Sequence, residues 1–188
     1  MEPTLSPHMP EVSAVIVPRQ EIRRRVKELA AEISAAVDGT ELTIVGVLDG
    51  VVIFLADLVR QLPMPVHMLT VGVRSYRGRS TTPGPVEFLK RIQVDLRDRH
   101  VLVLDDILDS GRTLAAVLDE LATHRPASCR SCVLLRKVRA GAAPAVEADF
   151  VGFDVPDVFV VGYGLDFDGR YRNLPDVVTL RDYGEPPP

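Results

Sequence analysis

Val101-Leu102-Val103-Leu104-Asp105-Asp106-Ile107-Leu108-Asp109-Ser110-Gly111-Arg112-Thr113-Leu114 is the stretch that decides the fold. Val101 to Leu104 are apolar and alternate valine with leucine, the length and character of a strand buried on both faces. Two carboxylates, Asp105 and Asp106, follow at once, and then a small-residue turn, Asp109 to Thr113. From Leu114 to Leu121 the apolar spacing suits a helix. Strand, acidic edge, tight loop and helix in that order form a unit of an open α/β sheet, where ligands bind at the carboxyl ends of strands. A turn of Ser, Gly and Thr can aim backbone N–H groups at a phosphate, and the helix N-terminus adds a favourable field. The hydroxyls of Ser110 and Thr113 add donors. Asp105 and Asp106 would repel a bare phosphate, so they make sense as holders of sugar hydroxyls or of a magnesium ion.

Similar units lie on either side. Val12 to Val17 reads as a short strand and Gln20 to Val37 as an amphipathic helix, with Ile22, Val26, Leu29, Ala30 and Ile33 recurring at three and four. Arg23, Arg24 and Lys27 interleave with Glu21, Glu28 and Glu32, which marks a solvated face. Leu42 to Leu48 is a second buried strand, ending in Asp49-Gly50, and a helix follows over Val52 to Gln61. Val66 to Val73 is a third strand. Arg74 to Pro85 carry Gly and Pro breakers without apolar periodicity and read as a loop. Val86 to Val94, Ser131 to Leu135 and Asp149 to Phe153 complete the strand candidates, with Ala140 to Ala148 as a small-residue linker. Strands alternating with crossover helices predict a mostly parallel twisted sheet flanked by helices, an α/β fold.

With 188 residues, of which 46% are hydrophobic, the chain fits one domain with a core of its own. A net charge of −4 argues against a nucleic-acid or anionic-membrane surface as the main partner. No apolar run approaches the length of a bilayer span, and Met1 to Pro18 lacks a signal-peptide core, so the expected compartment is the cytoplasm. Cys129 and Cys132 have the spacing of a redox pair or half a zinc site. No histidine pair at ligand spacing accompanies them, and packing at a strand start is the expected role.

The central stretch resembles the phosphoribosyl-pyrophosphate motif of the type I phosphoribosyltransferases: an apolar strand, two acidic residues, two apolar residues, then Asp, Ser or Thr, Gly, any residue, Thr. Every required position is filled. The run Pro156-Asp157-Val158-Phe159-Val160-Val161-Gly162-Tyr163-Gly164-Leu165-Asp166, with Arg172-Asn173-Leu174-Pro175 after it, resembles the purine end of the hypoxanthine-guanine branch. The resemblance covers roughly residues 12 to 182. It implies a single domain over 1–188, with a core over about 20–155 and a small hood from both chain ends, about 1–19 and 156–188.

The resemblance also implies a reaction: a 6-oxopurine, hypoxanthine or guanine, attacks C1 of phosphoribosyl pyrophosphate, and pyrophosphate leaves with the help of Mg²⁺. It implies that Asp105 and Asp106 hold the ribose, and that Asp109, Ser110, Gly111, Arg112 and Thr113 cradle the 5′-phosphate. Asp109 also lies beside purine N7, to take its proton or to steady the positive charge. Leu48, Asp49, Gly50 and Arg172 take the pyrophosphate. An acidic Asp49, where the family often has a base, leaves that contact to the backbone or a metal. Lys137 meets the 6-oxo group, Phe159 stacks on the base, and the Val160 backbone reads its edge. Ser75 and Tyr76 open the flexible lid, and Asp105, Asp106 and Asp166 are the metal carboxylates. A homodimer or homotetramer is the implied assembly. A sensor of phosphoribosyl pyrophosphate that binds nucleic acid competes with the enzyme, but the acidic balance counts against it.

Overall fold

The computed structural model describes residues 11–37, 41–75, 86–89, 92, 94–139, 141 and 143–181. β1 (Val12–Val17) leads through Pro18 into α1 (Arg19–Ala36), and β2 (Leu42–Leu48) into α2 (Val52–Val59). β3 (Val66–Ser75) and β4 (Val86–Phe88) precede β5 (His100–Leu108) and α3 (Arg112–Ala122). β6 (Ser128–Val138), β7 (Phe150–Pro156), β8 (Val160–Val161) and β9 (Val177–Leu180) follow.

Six strands form the main sheet in the order β4-β3-β2-β5-β6-β7, parallel except where β4 runs against β3. The alternation of side chains along each strand sends neighbours to opposite faces. On β2, Leu42 and Ile44 join one core, with Ile22, Leu29 and Ile33 of α1 and Phe54 and Leu58 of α2. Val45 and Val47 join the other, with Leu114, Val117 and Leu121 of α3. β5 splits the same way, Leu102 and Leu104 against Val101 and Val103. Both faces are therefore covered, which is why these strands read as unbroken apolar runs. A second sheet, β1-β9-β8, joins the two chain ends and has its own core of Val161, Val178 and Leu180.

Several boundaries differ from the sequence expectations. β5 does not stop at Leu104: Asp105, Ile107 and Leu108 remain in register with Val133, Leu135 and Arg136 of β6. The acidic pair therefore lies within a strand, and a ladder of backbone bonds holds it there. α3 starts two residues early, so Arg112 and Thr113 belong to its first turn. β6 takes in both cysteines and Lys137. Cys129 packs in one core and Cys132 in the other, so their side chains point to opposite faces and cannot pair. Burial pushes both thiols up, Cys132 furthest, which keeps them as thiols. On α1, Arg24 is exposed and pairs with Glu21 and Glu28. Arg25 turns inward instead, donating to the carbonyls of Val151 and Gly152 on the edge strand β7.

Candidate active site

Asp105 and Asp106 occupy adjacent positions on β5, so alternation aims them to opposite sides. Asp105 is buried, and its Oδ1 accepts from the Asp106 amide at 3.0 Å. Burial raises the Asp105 carboxyl well above its ordinary value, and the neighbouring Asp106 charge adds to this. Burial also raises Asp106, but less, because hydrogen bonds from Asp105 and from backbone amides and the charge of Arg172 offset it. A cation or a hydroxyl-rich ligand would compensate the charge of such a pair.

Gly50, in the turn after β2, lies directly against Asp106. A Cβ on Gly50 would sit inside the Asp106 carboxylate, so no larger residue fits. On its other side the Gly50 carbonyl packs against Gly164, where a Cβ would likewise collide. Three segments distant in sequence thus meet: the β2–α2 turn, the acidic strand end and the segment after β8. The Leu48–Asp49 peptide is cis.

Arg172 fastens the last of these segments. Its Nη1 donates to the Gly164 carbonyl at 2.6 Å, and its Nη2 lies 3.0 Å from Asp166 Oδ1 and 4.0 Å from Asp49 Oδ2. Asp49, the acidic departure in the turn, therefore faces a cation. The other Asp166 oxygen accepts from the Gly169 amide at 2.7 Å.

Gly111 caps α3 with φ of 75°, a left-handed conformation that favours glycine, and its Cα side faces the backbone of Ala145 and Val146 too closely for a side chain. α3 begins at Arg112, and the N-terminal end of a helix favours an anion. Ser110 is exposed beside that end, and its carbonyl accepts from Ala145 at 2.9 Å, which ties the loop to the linker before β7.

At the far side of the loop, Asp109 meets two cations of the β6 end. Lys137 Nζ lies 3.9 Å from Asp109 Oδ2 and 3.2 Å from Asp157 Oδ1. Arg139 Nη2 lies 2.5 Å from Asp109 Oδ1, an ion pair that covers that oxygen. Phe159 is 37% exposed, unusual for a ring of its size, and stands edge-on to Phe167 at 5.8 Å. Val160 is buried on β8, paired with Thr179 of β9.

The expected residues thus fall into two groups. Asp105, Asp106, Gly50 and Asp49 join Arg172 and Asp166 in one, and Asp109 and Lys137 meet in the other. Ser75 ends β3 in register with Val86, and Tyr76 lies outside the described residues. Among the described residues no three His, Cys, Asp or Glu side chains gather as one metal site. The oxygen donors nevertheless suit Mg²⁺, which takes one or two carboxylates and completes its shell with substrate phosphates and water. Sequence reasoning did not single out Arg139, Asp157 or Gly164. Asp157 and Gly164 stand within the quoted purine-end run, so a signal for them existed, whereas Arg139 has none.

The phosphoribosyl transferase domain family matches residues 15–168. A hypoxanthine-guanine phosphoribosyltransferase of Mycobacterium avium is 42% identical over 176 residues, covering 90% of this chain and 86% of that protein. The crystal structure of a hypoxanthine-guanine phosphoribosyltransferase from Bacillus anthracis, with HEPES in its active site, superposes with a TM-score of 0.84 at 35% identity, over 90% of this chain and 99% of that one. The Trypanosoma cruzi hypoxanthine phosphoribosyltransferase in complex with its product IMP gives 0.82 at 37% identity, over 94% and 98%.

Proposed function

This chain belongs to the family of hypoxanthine-guanine phosphoribosyltransferases, and from that premise we propose that it serves purine salvage, making IMP or GMP and pyrophosphate from phosphoribosyl pyrophosphate and a 6-oxopurine. The observation that carries this reading is the placement of Lys137 beside Asp109, 3.9 Å apart at the carboxyl end of β6. A 6-oxopurine offers its O6 and N7 side by side on one edge. Lys137, which has donors only, suits the carbonyl, and Asp109 suits the N–H.

In the proposed reaction a purine nitrogen forms a bond to C1 of the ribose as the C1–oxygen bond to pyrophosphate breaks, and the leaving group departs with the electron pair. Asp109 takes the purine proton. The N-terminal amides of α3 with Ser110 and Thr113 hold the 5′-phosphate, and Asp105 and Asp106 hold the ribose hydroxyls. The β2–α2 turn and Arg172 receive the pyrophosphate, with Asp49 balancing Arg172 rather than touching the anion. Asp105, Asp106 and Asp166 are the candidates to hold Mg²⁺, one or two of them together with substrate phosphates. When bound, the ion would neutralise charge on the leaving pyrophosphate. Phe159 stacks on the base and Val160 reads its edge, from the small sheet that we assign as the hood. Ser75 and Tyr76 open the lid in this reading.

A homodimer or homotetramer is part of the proposal, supported by Val52 and Ile53, which α2 leaves exposed. A reducing, cytoplasmic setting suits the two free thiols.

The test is a panel of hypoxanthine, guanine, xanthine and adenine with phosphoribosyl pyrophosphate and Mg²⁺, read as nucleotide formed. Hypoxanthine or guanine should be consumed. Adenine, which presents an amino group to Lys137, should fall behind by about 10⁴-fold or more in kcat/KM. Equal use of adenine would show the Lys137 assignment to be wrong.

A further inference from the structure

We propose that Arg139 is a positioning residue for Asp109, holding that carboxylate beside Lys137 so that the two meet one edge of the purine together. The inference rests on the reading above, in which Asp109 touches the reacting base. Nothing in the sequence marks Arg139, an exposed cation just past the end of β6. In the structure its guanidinium joins two carboxylates from different elements. Nε donates to Asp157 Oδ2 at 2.8 Å and Nη2 to Asp157 Oδ1 at 3.2 Å, while the same Nη2 lies 2.5 Å from Asp109 Oδ1. With Lys137 added, two cations face two carboxylates, and each carboxylate is near both cations.

The planar fork is what makes this arrangement selective. A guanidinium can hold Asp157 through two N–H groups in fixed geometry, which a lysine cannot do. With Asp157 held in this way, the three donors of Lys137 stay divisible between Asp157, Asp109 and an incoming carbonyl. Arg139 pairs with Asp109 Oδ1 and so draws the carboxylate toward β6. Oδ2, on the Lys137 side at 3.9 Å, remains to accept an N–H of the purine edge. Without Arg139, Asp109 loses its nearest cation and Asp157 becomes a full competitor for Lys137, so both contacts to the base loosen together. Of the phosphate cradle at the start of α3, Asp109 alone belongs to this quartet.

A double-mutant cycle tests the idea: wild type, Asp109→Asn, Arg139→Gln and the double variant, each assayed for kcat with hypoxanthine, for both KM values and for thermal midpoint. Arg139→Gln should lower kcat by about 10- to 100-fold, the scale of a small misplacement at a reacting centre. KM for phosphoribosyl pyrophosphate and the midpoint should stay near wild type. Arg139→Lys, which restores the charge without the fork, should recover only part of kcat. In the Asp109→Asn background Arg139→Gln should cost little more, because it acts through Asp109. Two losses that simply multiply, an unchanged kcat, or a kcat that rises, as for a brake on Asp109, would each overturn the proposal. A wild-type kcat in Asp109→Asn alone would instead sink the reading of Asp109, and this inference with it. Should Arg139→Gln fail to fold, Arg139→Lys carries the same cycle, with non-additivity as the required result.

Discussion

Gly50 has no side chain, and the Asp106 carboxylate fills the space where a Cβ would stand, while the Gly50 carbonyl abuts Gly164. This contact fixes Asp106 relative to the β2–α2 turn, so the proposed ribose and pyrophosphate ends of the site share one hard point. Gly50→Ala should therefore displace the Asp106 carboxylate. Overpacking of this kind typically costs about 1–3 kcal/mol, and we expect KM for phosphoribosyl pyrophosphate to rise by about tenfold or more, with KM for the purine changing far less. Steady-state kinetics on both substrates checks this, and unchanged values for both would mean the turn yields. At this scale the sequence was informative where chemistry is packed into consecutive positions: Asp105 to Thr113 could be named because order and residue type both carry meaning. Arg139 and Asp157 could not be paired, because their meeting depends on the register in which Lys137 lies opposite Val155, which local sequence does not encode. Asp49 looked anomalous for the same reason, until Arg172, more than a hundred residues away, proved to face it.

The elements were legible where hydrophobic periodicity ran unopposed. β2 was bounded correctly from its apolar run, the starts of α1 and α2 lay within a residue of expectation, and the buried face of α1 was the periodic one. β5 was cut short because two aspartates looked like the end of a strand, whereas the ladder to β6 carries the backbone through to Leu108. β9 escaped notice because its four residues gain their meaning only from β1 and β8, at opposite ends of the sequence. β5 is the element on which the sheet depends, being central, buried on both faces and the bearer of the acidic pair. Leu104, fully buried one residue before Asp105, anchors it to the core shared with α1 and α2. Leu104→Ala should destabilise the protein by about 2–5 kcal/mol. Urea unfolding should show a lower midpoint with an unchanged slope, and a loss under about 1 kcal/mol would mean that the site collapses around the gap, against the usual range.

Across the whole molecule, alternation of strands and helices announced a parallel sheet, but neither the strand order nor the docking of the small sheet could be read, since both are set by contacts between distant segments. One such contact joins the turn after β8 to α2: the buried Tyr163 hydroxyl donates to Asp57 Oδ2 at 2.7 Å. A hydrogen bond to a charged acceptor is worth about 1.5–3 kcal/mol, so Tyr163→Phe should lower stability by that amount at neutral pH while leaving the fold intact. The pH dependence gives a sharper check. Burial raises the Tyr163 phenol above its ordinary value of 10.0, and the Asp57 partner adds to this. A group whose folded value lies above its unfolded one stabilises fully below the unfolded value and loses that contribution as pH rises through the folded one. The gap in unfolding free energy between wild type and Tyr163→Phe should therefore be level up to about pH 10 and narrow above it, as the unfolded wild-type chain gains phenolate that the folded state resists. Equal stability of the two proteins at pH 8, or a gap that widens in alkali, would show that the small sheet is not held to the main body through this bond.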